Sequence, residues 1–83
     1  MQSSLWPLLM ELAGQLNIKV RVERLEQAPG GLCRLKGQNF IFINQSLNQE
    51  ARTLRLALSI KELNLEQVYI KPFLRDYLEQ LEK

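Results

Sequence analysis

The segment that most constrains the fold is GGLCRLKGQNFIFIN, residues 30–44. It holds three of the chain's four glycines and its densest run of apolar strand-forming residues. Glycine tolerates the positive φ of a tight hairpin turn, so Gly37 predicts a turn that joins two strands, 31–36 and 39–44. The second of these strands is apolar on both faces, which is typical of the central strand of a sheet.

A further strand precedes this hairpin. Residues 18–24 alternate strictly between apolar and charged side chains as far as Glu23, a pattern that predicts a half-buried strand with one face in water. The Pro29-Gly30-Gly31 run that follows is strong turn chemistry. Three strands are therefore predicted between residues 18 and 44, and Val68-Tyr69-Ile70 is compatible with a short fourth strand.

Two helices are predicted near the ends of the chain. The first is capped by Ser3 or Ser4 and has Pro7 in its first turn, where a missing N–H has no intrahelical partner to lose. Asn17 tolerates left-handed geometry and is the expected stop of this helix. The last helix begins at Pro72, a residue type that helices accept at their first position.

The helix predicted over residues 48–63 is the most informative of the helices. Its cap is either Asn48 alone or Ser46 with Gln49 as a capping box. Apolar residues occupy two sectors of its circumference, so it is apolar nearly all round. In an 83-residue chain, whose core is thin, such a helix must lie between other elements or present a face to a second chain. We expect the second arrangement. The residues expected at that interface are Leu56, Ile60 and Leu63.

The element order α-β-β-β-α-(β)-α predicts an α+β fold, with a small, mainly antiparallel sheet of three to four strands packed against helices. The 83 residues are expected to form a single domain, 1–83, with Trp6 and Tyr69 in its core or at the rim. One cysteine makes no internal disulfide. No segment approaches the roughly 20 apolar residues of a membrane span. A cytoplasmic protein without a membrane partner is therefore expected.

The absence of histidine excludes more chemistry than any other feature of the chain. A Ser-His-Asp triad, a Cys-His dyad and a histidine-ligated zinc site cannot be built without it. A lone cysteine also excludes zinc ribbons, iron–sulfur clusters and Cys-x-x-Cys redox centres. The glycines do not match a phosphate-binding loop. The sequence thus predicts a non-enzymatic protein with no catalytic residue, no metal ligands and no cofactor.

Cys33 and the basic residues of the strands have both a functional and a structural interpretation. Cys33 is either a reactive thiolate favoured by Arg34 or, as we expect, a small buried residue on the inward face beside Leu35. If the first two strands are neighbours, four cations share the outer face of the sheet, without aromatic side chains among them. They are Lys19, Arg21, Arg34 and Lys36. Such a face is suited to weak binding of nucleic acid or of another anionic partner.

The strand at residues 40–44, followed by a short loop and a helix with Arg52 and Ala57, resembles a unit of the small zincin-type regulatory metallopeptidases. In that family an Ile-x-Ile-Asn strand leads into an active-site helix of the type Arg-x-x-x-x-Ala-His-Glu-x-x-His. Residues 58–62 here read Leu-Ser-Ile-Lys-Glu, so every metal and base position is replaced. The resemblance, over residues 40–62, implies the fold without the enzyme. The chain's length and its YIKPFLR segment are also similar to small uncharacterised bacterial proteins, which imply no function.

The leading expectation is therefore a protein-interaction or regulatory module, acting through self-association or as an accessory partner of a larger protein. Binding of nucleic acid or another anionic partner through the basic sheet face is the first alternative. An enzyme that uses the Cys33 thiol is the second.

Overall fold

The computed structural model describes residues 5–81 and contains three helices and three strands in this part of the chain. They are α1 (Leu5–Gln15), β1 (Ile18–Glu23), β2 (Gly30–Leu35), β3 (Gln38–Asn44), α2 (Gln49–Lys61) and α3 (Pro72–Gln80). The fold is therefore α+β, as predicted. The prediction of a short fourth strand at Val68-Tyr69-Ile70 is wrong. Val68 donates its N–H to the nearby Leu65 carbonyl at 3.2 Å, and Ile70 is buried in the core.

The sheet is mixed, with strand order β1-β3-β2. β2 and β3 form the predicted antiparallel hairpin, whereas β1 runs parallel to β3, so the expectation of a mainly antiparallel sheet holds only for one of the two pairings. β3 lies in the centre, as its two apolar faces predicted. The segment 24–29 connects the two edge strands, and it is held to the end of β3 by hydrogen bonds from Asn44 to the Leu25 and Ala28 carbonyls.

Local sequence signals set the turn of the hairpin and the end of α1. Lys36 and Gly37 have φ angles of 51° and 80°, and positive φ at both residues of a two-residue loop is the geometry of a type I′ turn. The turn at Gly37 is confirmed. Asn17, with φ of 60°, lies just beyond α1 in the left-handed region, as expected.

The start of α2 is capped by Asn48, whose side-chain oxygen accepts from the Ala51 N–H at 2.8 Å. The alternative cap with Ser46 and Gln49 is wrong, because the Ser46 N–H donates to the Asn44 side chain instead. The Ser3 or Ser4 cap proposed for α1 lies outside the described residues.

α1 and α2 cover one face of the sheet, and α2 lies between the other elements. It contacts α1, α3, β2 and β3, and its Leu56 and Ile60 side chains are fully buried. Leu63, just after α2, is half-buried against the same core. The expected interface is therefore wrong at Leu56 and Ile60, because neighbouring elements of the same chain already cover these sectors of α2. At Leu63 it stays a prediction. No helix within residues 5–81 is long and apolar enough to cross a membrane.

Candidate functional site

The candidate site lies on the side of the sheet that faces away from the helices. In β3, Ile41 and Ile43 are fully buried in the core, so the alternate residues Phe40 and Phe42 lie on the opposite face. Strand partners in register share a face, and the register adds residues of β1 and β2 to this surface. We call it the outer sheet face. It consists of Lys19, Arg21, Glu23, Gly31, Cys33, Leu35, Phe40 and Phe42.

The centre of the outer sheet face is a pair of stacked aromatic rings. The Phe40 and Phe42 ring centroids are 5.7 Å apart, with an angle of 16° between the ring planes. The guanidinium carbon of Arg21 lies 6.0 Å from the Phe40 centroid, at the outer limit of a cation–π contact. Both phenylalanines are half-buried, so the stacked pair leaves part of its apolar surface exposed beside the Arg21 cation.

The β2 side of this surface is apolar and open. Gly31 pairs with Phe42 in the ladder, and a Cβ atom built on Gly31 would have no other atom within 4 Å. There is thus free space beside the Phe42 ring. Leu35, at the end of β2, is 49% exposed.

Cys33 is half-buried on the outer sheet face, where its strand partner is Phe40. The prediction that Cys33 and Leu35 point inward is therefore wrong. Leu32, which pairs with the buried Ile41, packs against the core in their place.

The cations predicted to share one face are divided by the structure. Lys19 and Arg21 are exposed and lie on the outer sheet face. Arg34 pairs with Asn39 in the ladder, lies on the opposite face, and donates to the Asn39 side-chain oxygen at 3.2 Å. Lys36 lies in the hairpin turn. The expectation of four cations on one face is wrong for two reasons. β3 separates the two edge strands, and the side chains of β2 face the opposite way from the prediction.

One acidic group belongs to the outer sheet face. Glu23 lies 3.5 Å from the Arg21 guanidinium, and both side chains are about half exposed. An exposed ion pair of this kind contributes little to stability and exchanges readily with other partners. Arg21 is therefore available to a stronger anion.

Elsewhere in residues 5–81 the structure brings together no cluster of three or more Cys, Asp or Glu that could hold a metal ion. Burial raises the pKa of the Tyr77 hydroxyl above its ordinary value.

Sequence reasoning missed the two phenylalanines of the outer sheet face, because no signal in the sequence alone shows which side of β3 faces outward. β3 is apolar on both faces, so its sequence is equally compatible with Ile41 and Ile43 on the outer face and with Phe40 and Phe42 there. The alternation of β1 fixes the choice once its register against β3 is known, because Val20 pairs with Ile41 and Arg21 with Phe42.

Comparisons with protein-family models, with curated proteins and with solved structures found no match to this chain. The resemblance of residues 40–62 to the zincin-type regulatory metallopeptidases therefore stays a prediction. The outer sheet face is the basis for a functional proposal, because it combines an exposed surface with a specific arrangement of side chains.

Proposed function

We propose that this chain is a small binding module, without catalytic activity of its own, that holds single-stranded nucleic acid on the outer sheet face. The observation that carries the proposal is the joint location of two stacked phenylalanines and two cations on the side of the sheet that faces away from the helices. The cations are Lys19 and Arg21.

The aromatic pair supports binding of unpaired bases. Base–aromatic stacking contributes about 1–3 kcal/mol per base and tolerates any base, because every base has a π-face. The Phe40 and Phe42 rings are already held in one orientation by their own stacking, so little side-chain entropy is lost when a base binds. The free space above Gly31 admits a flat group beside Phe42. A duplex, whose bases are stacked on each other, has no free base face to offer to these rings.

The two cations support binding of the phosphates next to those bases. Lys19 pairs with Phe40 and Arg21 with Phe42 in the parallel ladder, so each phenylalanine has a cationic residue at the paired position of the neighbouring strand. Two phosphate contacts on a single strand predict that the logarithm of the affinity falls with the logarithm of the salt concentration with a slope of about −1.4. The proposal is therefore one of weak, salt-sensitive binding without base preference.

The test is fluorescence anisotropy of a labelled 15-nucleotide oligothymidylate, titrated with the protein at several salt concentrations. We expect binding at low salt with the slope given above, and weaker binding of a duplex of equal length. Phe42→Leu keeps the apolar character but removes the ring, so we expect a loss of affinity of about 5- to 150-fold, the equivalent of one stacked base.

A pair of charge reversals provides the matched control. Arg21→Glu and Arg34→Glu change the net charge equally, but only Arg21 lies on the outer sheet face. We expect Arg21→Glu to reduce binding at least about tenfold and Arg34→Glu to have a much smaller effect. Equal effects of the two variants, or no binding of the oligonucleotide at low salt, would overturn the proposal.

The Cys33 thiol offers an independent measurement of the same surface. Because Cys33 lies beside Phe40 on the outer sheet face, bound oligonucleotide should slow its modification by a thiol reagent in the native protein. Unchanged modification at a saturating oligonucleotide concentration would place the binding elsewhere.

A further inference from the structure

Two aromatic side chains outside the sheet are the most exposed of the large apolar residues in the described part of the chain. Tyr69 is 77% exposed and Phe73 is 63% exposed. The prediction that Tyr69 packs in the core or at its rim is wrong, because the next residue, Ile70, enters the core in its place at 5% exposure. Trp6 does pack against the core, as expected. Tyr69 and Phe73 are four residues apart in the chain, and contiguous exposed apolar surface on a small protein marks an interaction surface.

A cavity of about 70 Å³ lies beside Tyr69, between α1 and the segment that leads into α3. Its wall is mainly apolar, and Tyr69 forms part of it. Phe73 directly precedes Leu74, another wall residue. We call Tyr69, Phe73 and this cavity the aromatic patch. The apolar wall residues besides Tyr69 are Leu8, Leu12, Ile70 and Leu74.

Two opposite charges border the cavity from different elements. Glu11 belongs to α1, and Lys71 belongs to the segment before α3. The two charges do not pair with each other, because the only ion pair with nitrogen and oxygen within 4.0 Å in residues 5–81 is Arg21–Glu23. The patch therefore offers one uncompensated charge of each sign around an apolar centre.

We propose that the aromatic patch is the surface through which this chain binds a second copy of itself. In a two-fold symmetric dimer the same surface serves both subunits, so Glu11 of each copy can face Lys71 of the other. A surface with exposed aromatic groups, a concave apolar wall and both signs of charge permits pairing with a second copy of itself. A partner that carries charge of one sign would leave one of the two residues facing a like charge. This assignment does not depend on the outer sheet face, which remains free.

The first test is the mass of the protein in solution, measured by sedimentation equilibrium from about 5 µM to 1 mM. We expect a concentration-dependent dimer. Phe73→Ser and Tyr69→Ser should each raise the dimer dissociation constant at least about tenfold, since aromatic residues at interface centres carry much of the binding energy. Leu54→Ser is the matched control, because Leu54 is also apolar and exposed, at 43%, but does not line the cavity. Far-UV circular dichroism checks that each variant is folded.

The second test uses charge reversal and reports on the pairing between copies. In Glu11→Lys alone, two lysines of different copies would face each other, and in Lys71→Glu alone two glutamates would do so. Both variants should therefore associate more weakly than the wild type. When they are mixed, the heterodimer restores both attractive pairs, so the mixture should associate more tightly than either variant.

Three outcomes would overturn this proposal. They are a monomer throughout the concentration range, an equal effect of Leu54→Ser, and a mixture of the two charge variants that associates no better than its components. If Phe73→Ser abolishes the dimer while oligonucleotide binding is retained, the two surfaces are shown to act independently.

Discussion

Gly30 and Phe42 approach each other so closely across the β2–β3 ladder that a Cβ atom on Gly30 would overlap the Phe42 carbonyl oxygen. Gly30 also has φ of 124°, a conformation that residues with a side chain rarely adopt. Because the obstructing atom belongs to the backbone of the central strand, it cannot move aside without disturbing the ladder. The far end of the hairpin, opposite the turn, therefore requires glycine.

Gly30→Ala should lower the free energy of unfolding by about 2 to 4 kcal/mol, from the strained φ and from overpacking. The matched control is Gly31→Ala, since a Cβ atom there meets no other atom within 4 Å, and a change within about 0.5 kcal/mol is expected. Urea unfolding followed by circular dichroism measures both. The same midpoint for the two variants would contradict the close approach.

Asn44→Asp should destabilise the protein strongly at pH 7. The buried Asn44 amide donates to the Leu25 carbonyl at 2.5 Å and to the Ala28 carbonyl at 2.9 Å. An aspartate carboxylate cannot donate, so both carbonyls lose their partner and face a negative charge. We expect a loss of about 2 to 4 kcal/mol in the free energy of unfolding.

The same substitution at Asn48 should be nearly neutral, within about 0.5 kcal/mol, because aspartate caps a helix as well as asparagine does. Asn48 acts only as an acceptor, from the Ala51 N–H. Denaturant unfolding of the two aspartate variants side by side gives the comparison. A loss at Asn48 as large as at Asn44 would show that the added charge, and not the lost donor, is responsible.

Ser59→Ala should stabilise the protein. The Ser59 hydroxyl is fully buried and has no hydrogen-bond partner in the described part of the chain, and an unsatisfied buried hydroxyl costs about 1–3 kcal/mol. Alanine also has the higher helix propensity. We expect a gain of about 1 kcal/mol, visible as a higher melting temperature.

Thr53→Val is the comparison for this prediction. The Thr53 hydroxyl is equally buried but donates to the Gln49 carbonyl at 2.9 Å. Removing it should cost about 1 kcal/mol. If both substitutions shifted the melting temperature in the same direction, hydrogen bonding would not be the property that separates the two sites.

The Tyr77 hydroxyl should make the protein less stable at high pH. Burial raises the pKa of this group in the folded chain above 10.0, so in the unfolded chain Tyr77 loses its proton first. Between these two pKa values the unfolded state binds fewer protons, and stability therefore falls as the pH rises above about 10. Tyr77→Phe should have a shallower decline than the wild type in denaturant titrations above pH 10. Identical slopes would rule out this contribution.

The interior of the molecule was only partly predictable. Asn17, Gly37 and Asn48 act through their own backbone geometry or through a neighbour in sequence. Asn17 and Gly37 were identified, and Asn48 was one of two caps that the sequence allowed. Which face of β2 points inward was not identified. Leu32 lies on one face of this strand and Cys33 and Leu35 lie on the other, and all three residues are apolar. Pairing with β3 made the choice by placing Leu32 beside the buried Ile41.

The candidate site was predictable to the same limited degree. Lys19 and Arg21 alternate with apolar residues, so their common exposed face follows from the sequence. Arg34 was assigned to the same face only on the assumption that β1 and β2 are neighbours. In the observed strand order β1-β3-β2, Arg34 is not part of the outer sheet face, and Phe40 and Phe42 are.

The sequence by itself determined the α+β class, the hairpin with its turn and the approximate limits of the helices, because these depend on interactions between residues close in the chain. Only the tertiary structure decided the order of the strands, the outward phenylalanines and the burial of α2. Those features depend on contacts between distant segments. A helix or strand with apolar residues on several sides is compatible with more than one such arrangement until its neighbours are in position.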